Sequence, residues 1–221
     1  MPRRDLGDDQ AWAQLRAMAR QVTLTHGHTV VPRGMALLEN LRNAAAILGV
    51  LPPRERDPLT ELMFRTETLH DFGDYVASAY EVREQIKTLI GTRRRVLEVQ
   101  DVEVTRALDE AIVEHNALPS NATVYAISNT FRHRIRPDTI NWKSRFRVLD
   151  EGGAEMSVIV YLGMADLTNG QGWTREAKSY VGADGQVELL PLVEGHLMSS
   201  SRLVPLVTSA IHDEFRGTGR R

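Results

Sequence analysis

The sequence predicts an α+β protein: a helical region of about four helices, one long, followed by an antiparallel β-meander of four to five strands and a C-terminal amphipathic helix. Three observations carry this. Apolar residues recur at helical spacing before Pro119. Alternating apolar residues and turn signals crowd the chain after it. Leu203, Leu206, Val207, Ala210, Ile211 and Phe215 then share one helical face. The division falls at residues 1–118, the helical region, and 119–221, the sheet with its closing helix.

The first helix follows Asp8 or Asp9 as N-cap and buries Trp12, Leu15, Ala19 and Val22. Leu24 to Val31, with His26, Gly27 and His28, reads as a connection. A second helix starts near Pro32, a favourable first-turn residue, and runs to Leu48 before Gly49 and Pro52-Pro53 stop it. Asp57-Pro58 opens a third, whose apolar stripe persists to Gly91, with a kink or break expected at Gly73. The fourth follows Asp101 and ends before Pro119. Candidate strands are Thr123–Phe131, Asn141–Leu149, Glu155–Gly163, Trp173–Val181 and Val187–Leu192. Gly152-Gly153, Asn169-Gly170 and Asp184-Gly185 supply turns that need positive φ. The closing helix covers Ser200 to Phe215, with Ser199-Ser200-Ser201 as its N-cap region.

The chain has 221 residues, no cysteine and a formal net charge of −2. Without cysteine, a disulfide scaffold, a thiolate zinc site and a cysteine nucleophile are all excluded. The longest strongly apolar run, Ala44 to Leu51, is too short to span a bilayer. Met1-Pro2-Arg3-Arg4-Asp5 leads into acidic, polar sequence, so a cytoplasmic location is expected. No P-loop and no nucleophile elbow occurs. No cofactor is expected. His115 lies near the apolar side of its helix and reads as a satisfied core or end-cap histidine.

Charge is concentrated between Arg132 and Arg147. Arg132, Arg134, Arg136, Lys143, Arg145 and Arg147 face only one acid, Asp138. On a strand Lys143, Arg145 and Arg147 share one face, about 6.6 Å apart at about 3.3 Å per residue. Trp142, Phe146 and Val148 take the other face and anchor it. Arg132 and Arg134 extend the row from a neighbouring strand. Such a row suits an acidic protein partner or the phosphates of nucleic acid. It equally suits cross-strand pairing with Glu155, Glu176 or Glu188. The leading expectation is a binding subunit rather than an enzyme, working in an oligomer or with a protein partner.

A second constellation joins His26 and His28 to His70-Asp71, with Asp101 and Asp109 downstream. An upstream His, a His-Asp pair and a later Asp in a helical region resemble the HD-type metal phosphohydrolases. Over residues 26–110 the resemblance implies that His28 (or His26), His70, Asp71 and Asp101 (or Asp109) ligate a divalent metal. That metal would activate water against a phosphoester. A third reading encloses a small apolar ligand between the sheet and the last helix. Its lining would be Tyr125, Ile127, Met156, Val158, Val160, Trp173 and Tyr180, with Leu203 and Val207.

Overall fold

The computed structural model describes residues 6–48, 57–96, 102–134, 139–148, 154–163 and 173–218. It is mostly helical, with one small antiparallel sheet of three strands among the described residues. Helix α1 (Leu6–Thr25) buries Trp12, Leu15, Ala19 and Val22, as their spacing predicts. The expected connection after it is instead a π-helical turn, His26–Val30, that runs straight into α2 (Val31–Arg42). Thr25 and Val31, on either side of that turn, keep right-handed helical angles. Pro32 has no N–H to donate back into the preceding turn. The wider turn lies immediately before it, where a regular helix would need that donor. Asn43, near φ −83° and ψ 1°, separates α2 from the short α3 (Ala44–Leu48).

Helix α4 (Pro58–Val96) is 39 residues long, about 58 Å at about 1.5 Å per residue. Asp57 caps it: one carboxylate oxygen accepts from the Leu59 N–H at 3.2 Å, the other from the Thr60 N–H at 3.1 Å. Neither Gly73 nor Gly91 breaks it. Phe64, Phe72, Tyr75, Val76, Ala79, Val82, Ile86, Leu89 and Ile90 are buried along its length. Helices α1, α2 and α3, the later helix α6 and strand β1 all pack on it, so its apolar residues spread over more than one face. Helix α5 (Val102–Ala117) follows.

The expected strand Thr123–Phe131 is helical, within α6 (Pro119–Arg134). Pro119 starts it, and residues 121–128 are all buried. A segment enclosed on every side carries no amphipathic period, so its Thr, Val and Ile content alone suggested a strand. Strands β1 (Ile140–Val148) and β2 (Ala154–Gly163) match the expected pair and are antiparallel, with Ile140 opposite Leu162 and Val148 opposite Ala154. The turns at Gly152-Gly153 and Asn169-Gly170 lie outside the described residues. The expected strand Trp173–Val181 is also helical: Thr174 accepts a hydrogen bond from the Ala177 N–H and caps α7 (Arg175–Tyr180). The last expected strand, Val187–Leu192, shrinks to β3 (Gln186–Glu188), which pairs with β2. Gly185 has φ 71° in the turn before it, a conformation glycine adopts without strain.

Helix α8 (Leu189–Thr218) begins eleven residues before the expected start, so Ser199-Ser200-Ser201 lie inside it rather than at its cap. Its buried face runs through Leu189, Leu192, Val193, His196, Leu197, Leu203, Val204, Val207 and Ile211. It packs on α1, α2, α5, α6 and the sheet. Core residues from both sides of Pro119 form one cluster. Among the described residues, no helix is long and apolar enough to cross a membrane.

A close approach brings Gly34 of α2 against Tyr75 of α4 and Leu197 of α8. A Cβ there would lie 2.6 Å from Leu197 Cδ1 and 2.9 Å from Tyr75 Cε2. Both neighbours are buried, so neither can swing clear into solvent. Gly34→Ala is therefore expected to destabilise by about 1–3 kcal/mol through overpacking, despite the better helix propensity of alanine. Thermal or urea unfolding checks this; an unchanged or raised midpoint would contradict the crossing.

Candidate functional site

The described members of the metal set expected from the sequence do not converge on one point. His28 is exposed on the π turn, and His70 is exposed on α4. Asp71 accepts a hydrogen bond from Asn40 at 2.9 Å. Asp109 pairs with Arg94. His26 points inward, with Nε2 3.1 Å from Ser200 Oγ. Asp101 lies outside the described residues. Among the described residues no three His, Asp or Glu side chains are placed to share a metal ion.

The cationic row is also divided. Lys143 and Arg145 share one exposed face of β1, as expected. Lys143 donates to Gln186 at 3.0 Å and lies 3.7 Å from Asp184. Arg145 pairs with Glu188 at 3.2 Å. The acids sit on β3 and its turn, so they balance the two cations in place. Arg132 and Arg134 belong to α6, not to a neighbouring strand, because residues 119–134 are helical. Arg136 and the Arg147 side chain lie outside the described residues. On the opposite face Trp142 packs edge-on against Phe64 of α4, with ring centres 5.9 Å apart, and anchors the hairpin.

What the fold does bring together is a buried polar cluster that the sequence did not single out as a group. His26 comes from the π turn, Tyr75 and Arg83 from α4, His115 from α5, Asn121 and Tyr125 from α6, and His196, Ser199 and Ser200 from α8. All three histidines are buried. Tyr75 Oη lies 2.6 Å from His196 Nδ1. His115 Nε2 lies 2.9 Å from Tyr125 Oη, and its Nδ1 lies 2.7 Å from Ser199 Oγ. Asn121 Nδ2 donates to the His115 carbonyl at 2.6 Å and to Ser199 Oγ at 2.9 Å. The rings of Tyr75 and Tyr125 each stand nearly perpendicular to that of His196, with centres 5.6 Å apart. The Arg83 guanidinium lies 4.6 Å from the centre of the Tyr125 ring.

This cluster borders a recess. Val30, Ala79, Val82, Ile86, Ile112, Leu203 and Val204 supply its apolar wall; His26, His115, Asn116, His196, Tyr125 and Ser200 supply its polar points, with Arg83 and Lys87 completing the lining. From floor to mouth it measures about 410 Å³, but only about 20 Å³ admits the centre of a water molecule. The first figure includes space open to solvent; the second decides what fits without movement, and it is room for about one water. Of the residues the sequence assigned to a ligand cavity, Tyr125 and Leu203 line this one. Ile127, Val160, Trp173 and Val207 are filled core, and Val158 and Tyr180 pack against it. The Met156 side chain lies outside the described residues. The recess lies among helices rather than under the sheet, because the segment expected as its first strand is α6.

Burial sets the charge state. It lowers the His196 pKa to about 3, helped by the neighbouring His115 and His26. Burial also lowers His115 to about 4, with the Arg83 cation adding to the effect. His26 is shifted the same way by burial. Burial raises Tyr75 and Tyr125 above the usual phenol range. At neutral pH the imidazoles are uncharged and both phenols keep their protons. His196 Nε2 is buried without a hydrogen-bond partner in the protein, and so is Asn121 Oδ1.

Compared with protein-family models, with curated proteins and with solved structures, the chain matches none. The fold and the recess therefore define only a class, a helix-rich α+β protein with an imidazole- and phenol-lined recess in its core.

The depressed histidines make a pH prediction. An unfolded histidine binds a proton near pH 6.5, whereas His115 and His196 resist one until about 4 and about 3. Between those values the unfolded chain holds more protons, so stability falls as pH drops. It is fully present above about pH 6.5 and is lost at about 1.4 kcal/mol per pH unit for each histidine. Urea unfolding from pH 7.5 to 4.5 should show this slope, reduced by about one proton in His196→Phe. A slope unchanged by that substitution would contradict the assignment.

Proposed function

We propose that the protein is a binding protein that holds a small, largely apolar molecule in the recess formed by α4, α5, α6, α8 and the π turn. One observation carries the reading. His196 Nε2 is buried and unpartnered at a recess whose other walls are mostly apolar. Native interiors rarely leave such an atom unmatched, and an apolar side chain would fill the site at lower cost. An apolar lining with a few placed polar groups is the usual composition of a small-molecule site. The space now open fits about one water, so a larger guest enters by displacing side chains at the mouth.

Benzene is a suitable first probe. In a protein labelled at its methyl groups, titration should shift Val82, Ile86, Ile112 and Val204 together. The shifts should disappear in Ala79→Leu, which fills the recess. A bound guest at one hundred times its Kd should also stabilise the fold by about 2.7 kcal/mol. Shifts confined to exposed methyls such as Leu59 and Leu62 would overturn the reading.

A second reading keeps the cationic face of β1 as a contact for an acidic protein partner or nucleic acid. Its support is that Lys143 and Arg145 remain 45% and 59% exposed on one face despite their acidic neighbours. The double change Lys143→Glu with Arg145→Glu should then abolish binding of polyglutamate or of a single-stranded oligonucleotide at low salt. Unchanged binding, or none in the parent protein, removes this reading.

A further inference from the structure

The hydrogen-bond partners around the recess determine which of its atoms carry protons. Tyr75 is protonated and buried, and its oxygen meets His196 Nδ1. If Nδ1 carried the imidazole proton, the Tyr75 proton would have no acceptor among its contacts and Nε2 would be an unmatched acceptor. If Tyr75 donates to Nδ1, only one group is left over, the Nε2–H. The second arrangement leaves fewer buried groups unsatisfied, and it makes His196 Nε2 a donor.

The same reasoning applies to His115. Its Nδ1 meets Ser199 Oγ at 2.7 Å and Asn121 Nδ2 at 3.1 Å. An amide nitrogen can only donate, and its orientation is fixed by its 2.6 Å bond to the His115 carbonyl. Both of its protons go to the His115 carbonyl and Ser199 Oγ, so His115 Nδ1–H donates to Ser199 Oγ and Nε2 accepts from the Tyr125 hydroxyl at 2.9 Å. This arrangement leaves no buried Tyr125 proton over. The His196 and Tyr125 rings line the same recess and face each other edge to face. The recess thus offers one unmatched donor, His196 Nε2–H, beside a mostly apolar lining.

We infer that the molecule held in this recess is uncharged and apolar apart from one acceptor oxygen, of the carbonyl type, which takes a hydrogen bond from His196 Nε2–H. This rests on the recess being a ligand site. A carbonyl oxygen accepts from that donor and adds no proton that would need a further partner. A hydrocarbon would leave the donor unmatched. A carboxylate would carry a charge into a site whose imidazoles are neutral, and the two cations of its lining are already engaged, Arg83 with Tyr125, Asn116 and Glu84 and Lys87 with Glu84.

The test uses three probes of one shape: cyclohexanone, methylenecyclohexane and cyclohexanecarboxylate, each titrated into the full chain at pH 7.5. Affinity and the side-chain proton–nitrogen resonance of His196 are followed together. Cyclohexanone should bind about tenfold more tightly than methylenecyclohexane, the value of one hydrogen bond to a buried donor. It should also shift the His196 Nε2–H resonance. In His196→Phe, which removes the donor, the preference should be lost while methylenecyclohexane binding holds; in Tyr125→Phe, whose hydroxyl is used on His115, the preference should persist. Equal binding of ketone and hydrocarbon would overturn the inference and leave the ligand site standing. Tighter binding of the carboxylate would overturn the uncharged class in the same way. Binding of none of the three, with only water in the recess, would overturn both the inference and the reading on which it rests.

Discussion

Gly34, Tyr75 and Leu197 meet where α2, α4 and α8 cross, and the bond from Tyr75 to His196 lies at that crossing. The absence of a side chain at Gly34 lets α2 approach closely. That approach holds the Tyr75 ring from one side while His196 holds its hydroxyl. Tyr75 lies on the central helix and His196 on the terminal one, 121 residues apart. The long helix can therefore act as a common support. Its upper residues carry the hairpin through Phe64 and Trp142, and its lower ones carry the recess through Ala79, Val82 and Ile86.

The polar cluster shows how a protein interior holds several histidines without charge. Each imidazole has a hydroxyl neighbour: Ser200 for His26, Ser199 and Tyr125 for His115, Tyr75 for His196. Hydroxyls rotate to match either tautomer, so they satisfy a neutral ring without imposing a charge. Carboxylates would have drawn protons onto the rings, and no carboxylate appears among these contacts. Arg83 stays at the edge, with its charge shared between the Tyr125 face and Glu84.

Part of the fold was legible in the sequence where a long element had one wet face. Helices α1 and α5 and the β1–β2 hairpin show their period plainly, and Asp57-Pro58 marks the start of α4. The enclosed α6 was misread, and so was the short α7, although Arg175, Lys178 and Ser179 leave it a wet face. Residues 121–128 are buried throughout, so Thr123, Tyr125 and Ile127 imitate the alternation of a strand. Length and Pro119 were the better guides there, since sixteen residues exceed an ordinary strand. For α7 the signal was present in Thr174, followed by Glu176 in the first turn. The site was far less legible. His115 was correctly read as a core histidine with partners, but nothing in the sequence joins it to His26 and His196. Their meeting depends on four helices and the π turn crossing, and spacing along a chain does not encode it. His70-Asp71 drew attention because its residues are adjacent in sequence, whereas the structure leaves His70 in solvent.

The π turn between α1 and α2 has a geometrical consequence. Each added residue advances a helix by about 100°, so a widened turn rotates everything beyond it relative to an unbroken rod. Helices α1 and α2 are thus one continuous rod with a phase step, and both can face α4 and α8 without a loop between them. The step also turns His26 and Val30 inward together while His28 stays out. Orientation here is set by residue count: a chain one residue shorter at this point would keep its helix and aim α2 in another direction.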